Sequence, residues 1–123
     1  MTATPHRAVV LFAHGSRDPL WHKPMEAVAA QVVAGQPELV VRCAYLELSV
    51  PDLNTVCAEL ITAGAQQIAI LPMFLGVGRH AREDLPQLLE QLRGKYPSVQ
   101  FDLKAAVGED PRLVRLLAQI AAE

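Results

Sequence analysis

Three side chains that can bind a divalent metal or carry a proton follow apolar segments of this sequence at equal spacing. His14 and Glu47 come directly after β-rich apolar segments, and His80 follows a third such segment after two glycines. The spacing is 33 residues in both intervals, about one strand-helix unit, so we expect the three groups at equivalent strand ends. Two imidazoles can share a divalent metal, or one can bind it while the other accepts protons. Glu47 can add a carboxylate ligand or act as a proton acceptor.

The same residue types are also compatible with structural roles. A single histidine at a strand end is often hydrogen-bonded to its surroundings, and Glu47 can be solvated or can pair with a helix cap. His6 and His22 lie in a polar start and a proline-bounded turn, and both are predicted to be ordinary surface residues. Trp21 is expected to be partly in the core or to anchor an interface.

Alternating strand and helix patterns must position these groups. Apolar runs predict strands over 8–13, 39–46, 68–75 and 99–105, and helical periodicity predicts helices over 23–34, 53–64, 82–93 and 111–120. Ser49 and Asp52 form a plausible capping box around Pro51 at the start of the second helix. Pro86 is expected in about the first turn of the third helix, where proline is tolerated.

Four strands that alternate with four helices indicate an α/β fold with a parallel sheet flanked by helices, since parallel neighbours need a long connection. We predict the strand order 2-1-3-4. Its winding reverses between strands 1 and 3, and open α/β sheets bind ligands beyond the carboxyl ends of the strands at such a point. His14 and His80 are therefore predicted to face each other across one crevice.

Composition limits the possible functions. The chain has 123 residues, and we expect a single domain over 1–123. A net charge of -2 offers no global field for nucleic acid or an anionic membrane, so neither is an expected partner. Cys43 and Cys57 lack the spacing of a disulfide framework or a zinc site and are predicted to be buried free thiols. The sequence shows neither a bilayer-length apolar run nor a signal peptide, so a cytoplasmic location is expected.

Four segments in order resemble the small CbiX-type sirohydrochlorin chelatases, which belong to the class II chelatases. These segments are HGSRDP with a later W-x-x-P, YLEL-x-x-P, PMFLGVGRH-x-x-x-DLP and GEDPRL. The resemblance runs over most of the chain. It implies a chelatase-like three-layer sandwich and the insertion of Co²⁺, Fe²⁺ or Ni²⁺ into sirohydrochlorin for cobalamin, sirohaem or related cofactors. The metal is a substrate in this reaction, and no organic cofactor or ATP is implied.

The resemblance also implies roles for individual residues. His14 and His80 take the positions of the family's metal-binding and proton-accepting histidines, and Glu47 falls where related chelatases place an acidic partner. Short members resemble half of tandem-repeat long forms and commonly pair, which implies a homodimer that buries apolar helix surface.

The polycarboxylated substrate would meet basic and small residues around the crevice. Arginine guanidinium groups and free backbone N–H groups bind carboxylates, which explains how a slightly acidic chain can hold an anionic ligand. The residues predicted to bind substrate are Ser16, Arg17, Gly76, Gly78, Arg79 and Arg82.

Two other functions are compatible with the sequence. One takes Ala13-His14-Gly15 as a histidine-phosphatase-like motif with His14 as the phosphorylated nucleophile, although that motif has arginine where this chain has Ala13. The other is a metal or tetrapyrrole carrier that uses the same ligands without catalysis.

Overall fold

The computed structural model describes residues 6–123, and at His80 it describes only the backbone. The parallel sheet has the order β2-β1-β3-β4, as predicted. Its strands are β1 (His6–Ala13), β2 (Val40–Tyr45), β3 (Ala65–Pro72) and β4 (Gln100–Leu103). The helices are α1 (Lys23–Gly35), α2 (Leu53–Thr62), α3 (Arg79–Lys95) and α4 (Pro111–Ala121), with 3₁₀ turns at Pro19–His22 and Val107–Glu109.

Two apolar layers hold the sheet between helices. On one face, α2 and α3 bury side chains such as Val56 and Leu89 against Val10, Ile68 and Ile70 of the two central strands. On the other face, Met25 of α1 packs with apolar residues of β1 and β2. The central strands read as continuous apolar runs because both of their faces are covered.

The fourth helix lies differently from the other three. It packs mainly against the 3₁₀ turn that precedes it, and each of its residues keeps part of its surface exposed. The exposed apolar side chains on α4 are Val114, Leu116, Leu117 and Ile120. Within residues 6–123, no helix combines the length and the apolar character that crossing a bilayer requires.

Four local predictions are wrong. The strand predicted over 68–75 ends at Pro72, and α3 begins three residues before the predicted start, at Arg79. Pro86 is consequently the eighth residue of α3 and lies inside the helix. The capping box is absent because Asp52 itself caps α2, through a 2.8 Å hydrogen bond from the Thr55 N–H to the carboxylate.

The cysteine prediction is confirmed in part. Cys57 is a buried free thiol in α2, and burial raises the pKa of this thiol to about 12. Cys43 in β2 is a free thiol too, but it is only half-buried because β2 lies at the edge of the sheet.

Candidate active site

His14 occupies the carboxyl end of β1, at the point where the winding of the sheet reverses. The first strand ends at Ala13, so the His14 side chain leaves the core and is exposed to solvent. Its ring packs against Phe74 from the segment after β3, with the ring centroids 5.6 Å apart and a 63° angle between the planes. Phe74 is itself buried and meets Phe12 of β1 edge-on. His14 is thus an exposed imidazole on a fixed aromatic support.

The segment after β2 continues alongside the segment after β1. The backbone N–H of Leu46 donates to the Ala13 carbonyl oxygen at 2.9 Å, and the N–H of Glu47 donates to the His14 carbonyl oxygen at 3.0 Å. These two bonds join the segments that follow β1 and β2 beyond the last strand residues. The strands pair with an offset of 32, Ala13 opposite Tyr45, so Glu47 lies one residue beyond the position opposite His14. In β3 the offset is 60, which puts Phe74 opposite His14 and His80 six residues further on, so the prediction of three equivalent strand ends is wrong. The Glu47 side chain is exposed.

Close backbone approach makes Gly15 necessary at this place. Its φ is +102°, and a Cβ atom there would lie 1.7 Å from the Glu47 carbonyl oxygen. Any side chain would therefore be strained by the dihedral and would push the Glu47 segment away.

A serine hydroxyl joins the same two segments one step further on. The Ser49 Oγ accepts a hydrogen bond from the Ser16 N–H at 2.9 Å and donates one to the Ser16 carbonyl oxygen at 2.6 Å. The His22 Nε2 lies 2.9 Å from the Ser49 Oγ. The His22 ring stacks on the Tyr45 ring, with the ring centroids 4.7 Å apart. His22 is half-buried, so its prediction as an ordinary surface residue is wrong.

The third segment reaches the site through Phe74 and the start of α3. His80 is the second residue of α3, but its side chain lies outside the described part of the structure. That His80 faces His14 therefore stays a prediction. Among the side chains that the structure describes, no group of three or more His, Cys, Asp or Glu residues is placed to hold a metal ion.

The predicted substrate-binding residues lie on several parts of this edge. Ser16 and Arg17 line a cavity of about 510 Å³ between the segments after β1 and β2. Arg82 lines a smaller cavity of about 170 Å³ between α3 and the segment after β4. Arg79 is exposed and donates to Glu83 at 3.3 Å, one turn further along α3. Gly76 and Gly78 have open space where a side chain would be.

The buried and capping groups near the site keep one charge state at neutral pH. Burial, more than the neighbouring groups, raises the pKa of Tyr45 to about 12, so its phenol stays protonated beneath His22. The side-chain and backbone hydrogen bonds from Thr55 lower the pKa of Asp52, so the cap of α2 stays ionised.

Three residues at the site escaped the sequence-based reasoning: Ser49, His22 and Phe74. Ser16 and Ser49 are also 33 residues apart, as His14 and Glu47 are, and this spacing was the signal that could have paired them. For Phe74, the sequence offers only an aromatic residue at the end of an apolar run, which does not distinguish a support for His14 from a core side chain.

Comparisons with known proteins agree with this geometry. The model of the family described as CbiX matches residues 8–123. A crystal structure of a CbiX protein from Marinobacter aquaeolei VT8 superposes with a TM-score of 0.81 at 31% identity and covers 94% of each chain. The sirohydrochlorin chelatase SirB from Bacillus subtilis subspecies spizizenii, solved in complex with cobalt, has a TM-score of 0.78 at 25% identity, over 94% of this chain and 50% of that one.

Curated relatives are chelatases, and several of them are longer than this chain. The sirohydrochlorin ferrochelatase of Bacillus subtilis (strain 168) is 28% identical over 109 residues, which are 89% of this chain and 42% of the relative. Other relatives are named sirohydrochlorin cobaltochelatases. The chain spans 42%, 63% and 57% of the length of three of these relatives.

Proposed function

Because this chain belongs to the CbiX family, we propose that it inserts a divalent metal ion, Co²⁺, Fe²⁺ or Ni²⁺, into sirohydrochlorin. The observation that carries the proposal is the exposed His14 on its Phe74 support, at the carboxyl end of β1 where the winding of the sheet reverses. The names of the relatives supply the class of reaction, and the position of His14 supplies a group that can perform it.

The reaction exchanges two protons for one metal ion. A hydrated M²⁺ loses water and enters the macrocycle, two pyrrole N–H bonds break, and two protons leave, so charge is conserved. An imidazole can hold the incoming ion through a ring nitrogen or accept one of the protons. We assign both functions to His14 and His80 together, one to each ring, and we assign Glu47 as a third ligand or the second proton acceptor.

A backbone contact supports the assignment of Glu47. The Glu47 N–H donates to the His14 carbonyl oxygen, and both side chains are exposed. The pair is therefore suited to receive protons from a macrocycle that lies over the edge.

The substrate carboxylates would be held by the exposed groups around this edge. Ser16 and Arg17 line one open cavity, and Arg79 and Arg82 lie in the first turn of α3. Gly76 and Gly78 leave space for a flat ligand to approach the backbone. Each of these residues is assigned to binding, so its loss should raise the KM for sirohydrochlorin.

We propose further that the chain works as a homodimer. Apolar side chains of α4 are exposed, with Val114 at 53% and Ile120 at 54%, and the chain spans about half the length of its longer relatives. A second copy that covers this face would remove the apolar surface from water. Sedimentation velocity should show a dimer that Leu117→Lys dissociates, whereas Val28→Lys on exposed α1 leaves it intact. A wild-type monomer at all concentrations would contradict this proposal.

The activity is tested by adding each metal to sirohydrochlorin under anaerobic conditions and recording the absorption spectrum with and without protein. We expect faster insertion than in the uncatalysed reaction for at least one metal. Binding of the tetrapyrrole without acceleration would indicate a carrier, and metal-independent hydrolysis of a phosphate ester would indicate a phosphatase. Either result contradicts the proposed chelatase.

A further inference from the structure

We propose that Ser49 and His22 form a clamp that fixes the His14 segment against the Glu47 segment, and that both are positioning residues for metal insertion. This inference rests on the proposed function for its kinetic consequence. Its structural part, the hydrogen-bond arrangement, stands without it.

The clamp replaces a strand pair where the strands have ended. The last backbone bond between the two segments runs from the Glu47 N–H to the His14 carbonyl oxygen. Beyond it, the Ser16 backbone pairs with the Ser49 hydroxyl. That one oxygen binds both the N–H and the carbonyl group of Ser16, at 2.9 and 2.6 Å. Both serines are half-buried, so the loss of the hydroxyl would leave two backbone groups of Ser16 short of partners.

The hydrogen-bond directions determine the tautomer of His22. A serine hydroxyl has one hydrogen, and the short contact to the Ser16 carbonyl oxygen uses it, because a carbonyl oxygen can only accept. The Ser49 oxygen must then accept from the Ser16 N–H and from His22. The His22 Nε2 therefore carries a proton, and the neutral ring is the Nε2–H tautomer.

Packing keeps the His22 ring in this orientation. The ring lies at 31° to the Tyr45 ring, 4.7 Å away between centroids, and Trp21 meets it edge-on at 5.8 Å. Tyr45 is buried at the end of β2, so the clamp is anchored on the sheet. The β2 end, the 3₁₀ turn and the two site segments thus form one connected unit.

The unit acts on the groups that are assigned to chemistry. Ser16 is two residues after His14, and Ser49 is two residues after Glu47. Partners that orient metal-binding groups affect metal affinity or activity by about 10-fold to 100-fold in other sites. We expect a similar effect here on the metal dependence. The KM for sirohydrochlorin should rise as well, because Ser49 and His22 line the same cavity as Ser16 and Arg17.

The structural part is tested by long-range ¹H–¹⁵N NMR and by hydrogen exchange. The neutral His22 ring should show a protonated Nε2, and the Ser16 amide should exchange about 10-fold faster in Ser49→Ala than in wild type or Ser49→Thr. An Nδ1–H tautomer, or an unchanged Ser16 amide in Ser49→Ala, would overturn the clamp. These measurements remain decisive if wild-type protein inserts no metal.

The kinetic part compares variants that keep or lose one hydrogen bond. Ser49→Ala should raise the Co²⁺ concentration for half-maximal insertion about 10-fold, and Ser49→Thr should restore it. His22→Gln, whose amide nitrogen can occupy the Nε2 position, should retain more activity than His22→Asn. Ser98→Ala, at an exposed position elsewhere, is the control and should match wild type. Equal Co²⁺ dependence in Ser49→Ala and wild type would overturn the positioning role.

Discussion

Replacement of Gly15 by alanine should damage both stability and the site, by an amount that the structure allows us to work out. The dihedral of +102° disfavours any L side chain by about 1–2 kcal/mol. The new Cβ would lie 1.7 Å from the Glu47 carbonyl oxygen, whereas ordinary contacts begin at 3.4 Å. The Glu47 segment must therefore move, and the bond from its N–H to the His14 carbonyl group is lost at a cost of about 1 kcal/mol. Gly15→Ala should therefore lower the free energy of unfolding by about 2–3 kcal/mol in total.

Gly64→Ala is the matched control for this experiment. Its φ of +107° is nearly the same, but the nearest atom to a new Cβ is the His6 Nδ1 at 3.4 Å, an ordinary contact. Gly64→Ala should lower the free energy of unfolding only by the cost of the positive φ, about 1–2 kcal/mol, and should leave the rate of metal insertion unchanged. Thermal unfolding should show a Tm loss of about 4 °C for each kcal/mol in a chain of this size.

Two results would refute this reasoning about Gly15. The first is a Gly15→Ala protein that is no less stable than Gly64→Ala, since the close approach to Glu47 would then cost nothing. The second is full insertion activity in Gly15→Ala, since the backbone contact between the His14 and Glu47 segments would then be unimportant.

Three further predictions concern stability and reactivity. Leu89→Ala in the core should lower the free energy of unfolding by about 2–5 kcal/mol. Leu116→Ala on exposed α4 should change the stability of the monomer by less than about 0.5 kcal/mol. Equal losses in urea unfolding would contradict the burial of Leu89 and the exposure of Leu116. Hydrogen bonds from Arg112 lower the pKa of Asp110 to about 2. The stability advantage of wild type over Asp110→Asn should therefore be complete above about pH 4 and disappear as the pH falls through about 2. A stability advantage that increases as the pH falls would contradict this prediction. Cys57 should react with a thiol reagent only after unfolding, because burial raises its pKa to about 12; rapid labelling of the native protein would disprove this.

The order of strands could be predicted because continuous apolar runs and intervening helical patterns allow few topologies. The equal spacing correctly placed His14 and Glu47 on neighbouring segments but missed their register by one residue, because the strands pair with an offset of 32 and not 33. Ser49 was misassigned because a serine three residues before an aspartate fits a local cap, and only the fold shows that Ser16 competes for its hydroxyl.

The ends of elements were less predictable from local signals. Pro86 suggested a helix start close to it, yet α3 begins at Arg79, because apolar residues such as Ala81 and Leu85 already pack on the sheet. The energy of this packing depends on contacts between residues distant in sequence, so helix propensity alone does not predict where the helix begins.

The most direct test of the central claim is the anaerobic rate of Co²⁺ insertion into sirohydrochlorin for wild type and for His14→Ala, measured by absorption. We predict that wild type accelerates insertion and that His14→Ala, with an unchanged circular dichroism spectrum and Tm, falls to the uncatalysed rate. A folded His14→Ala protein that inserts cobalt as fast as wild type would contradict the account.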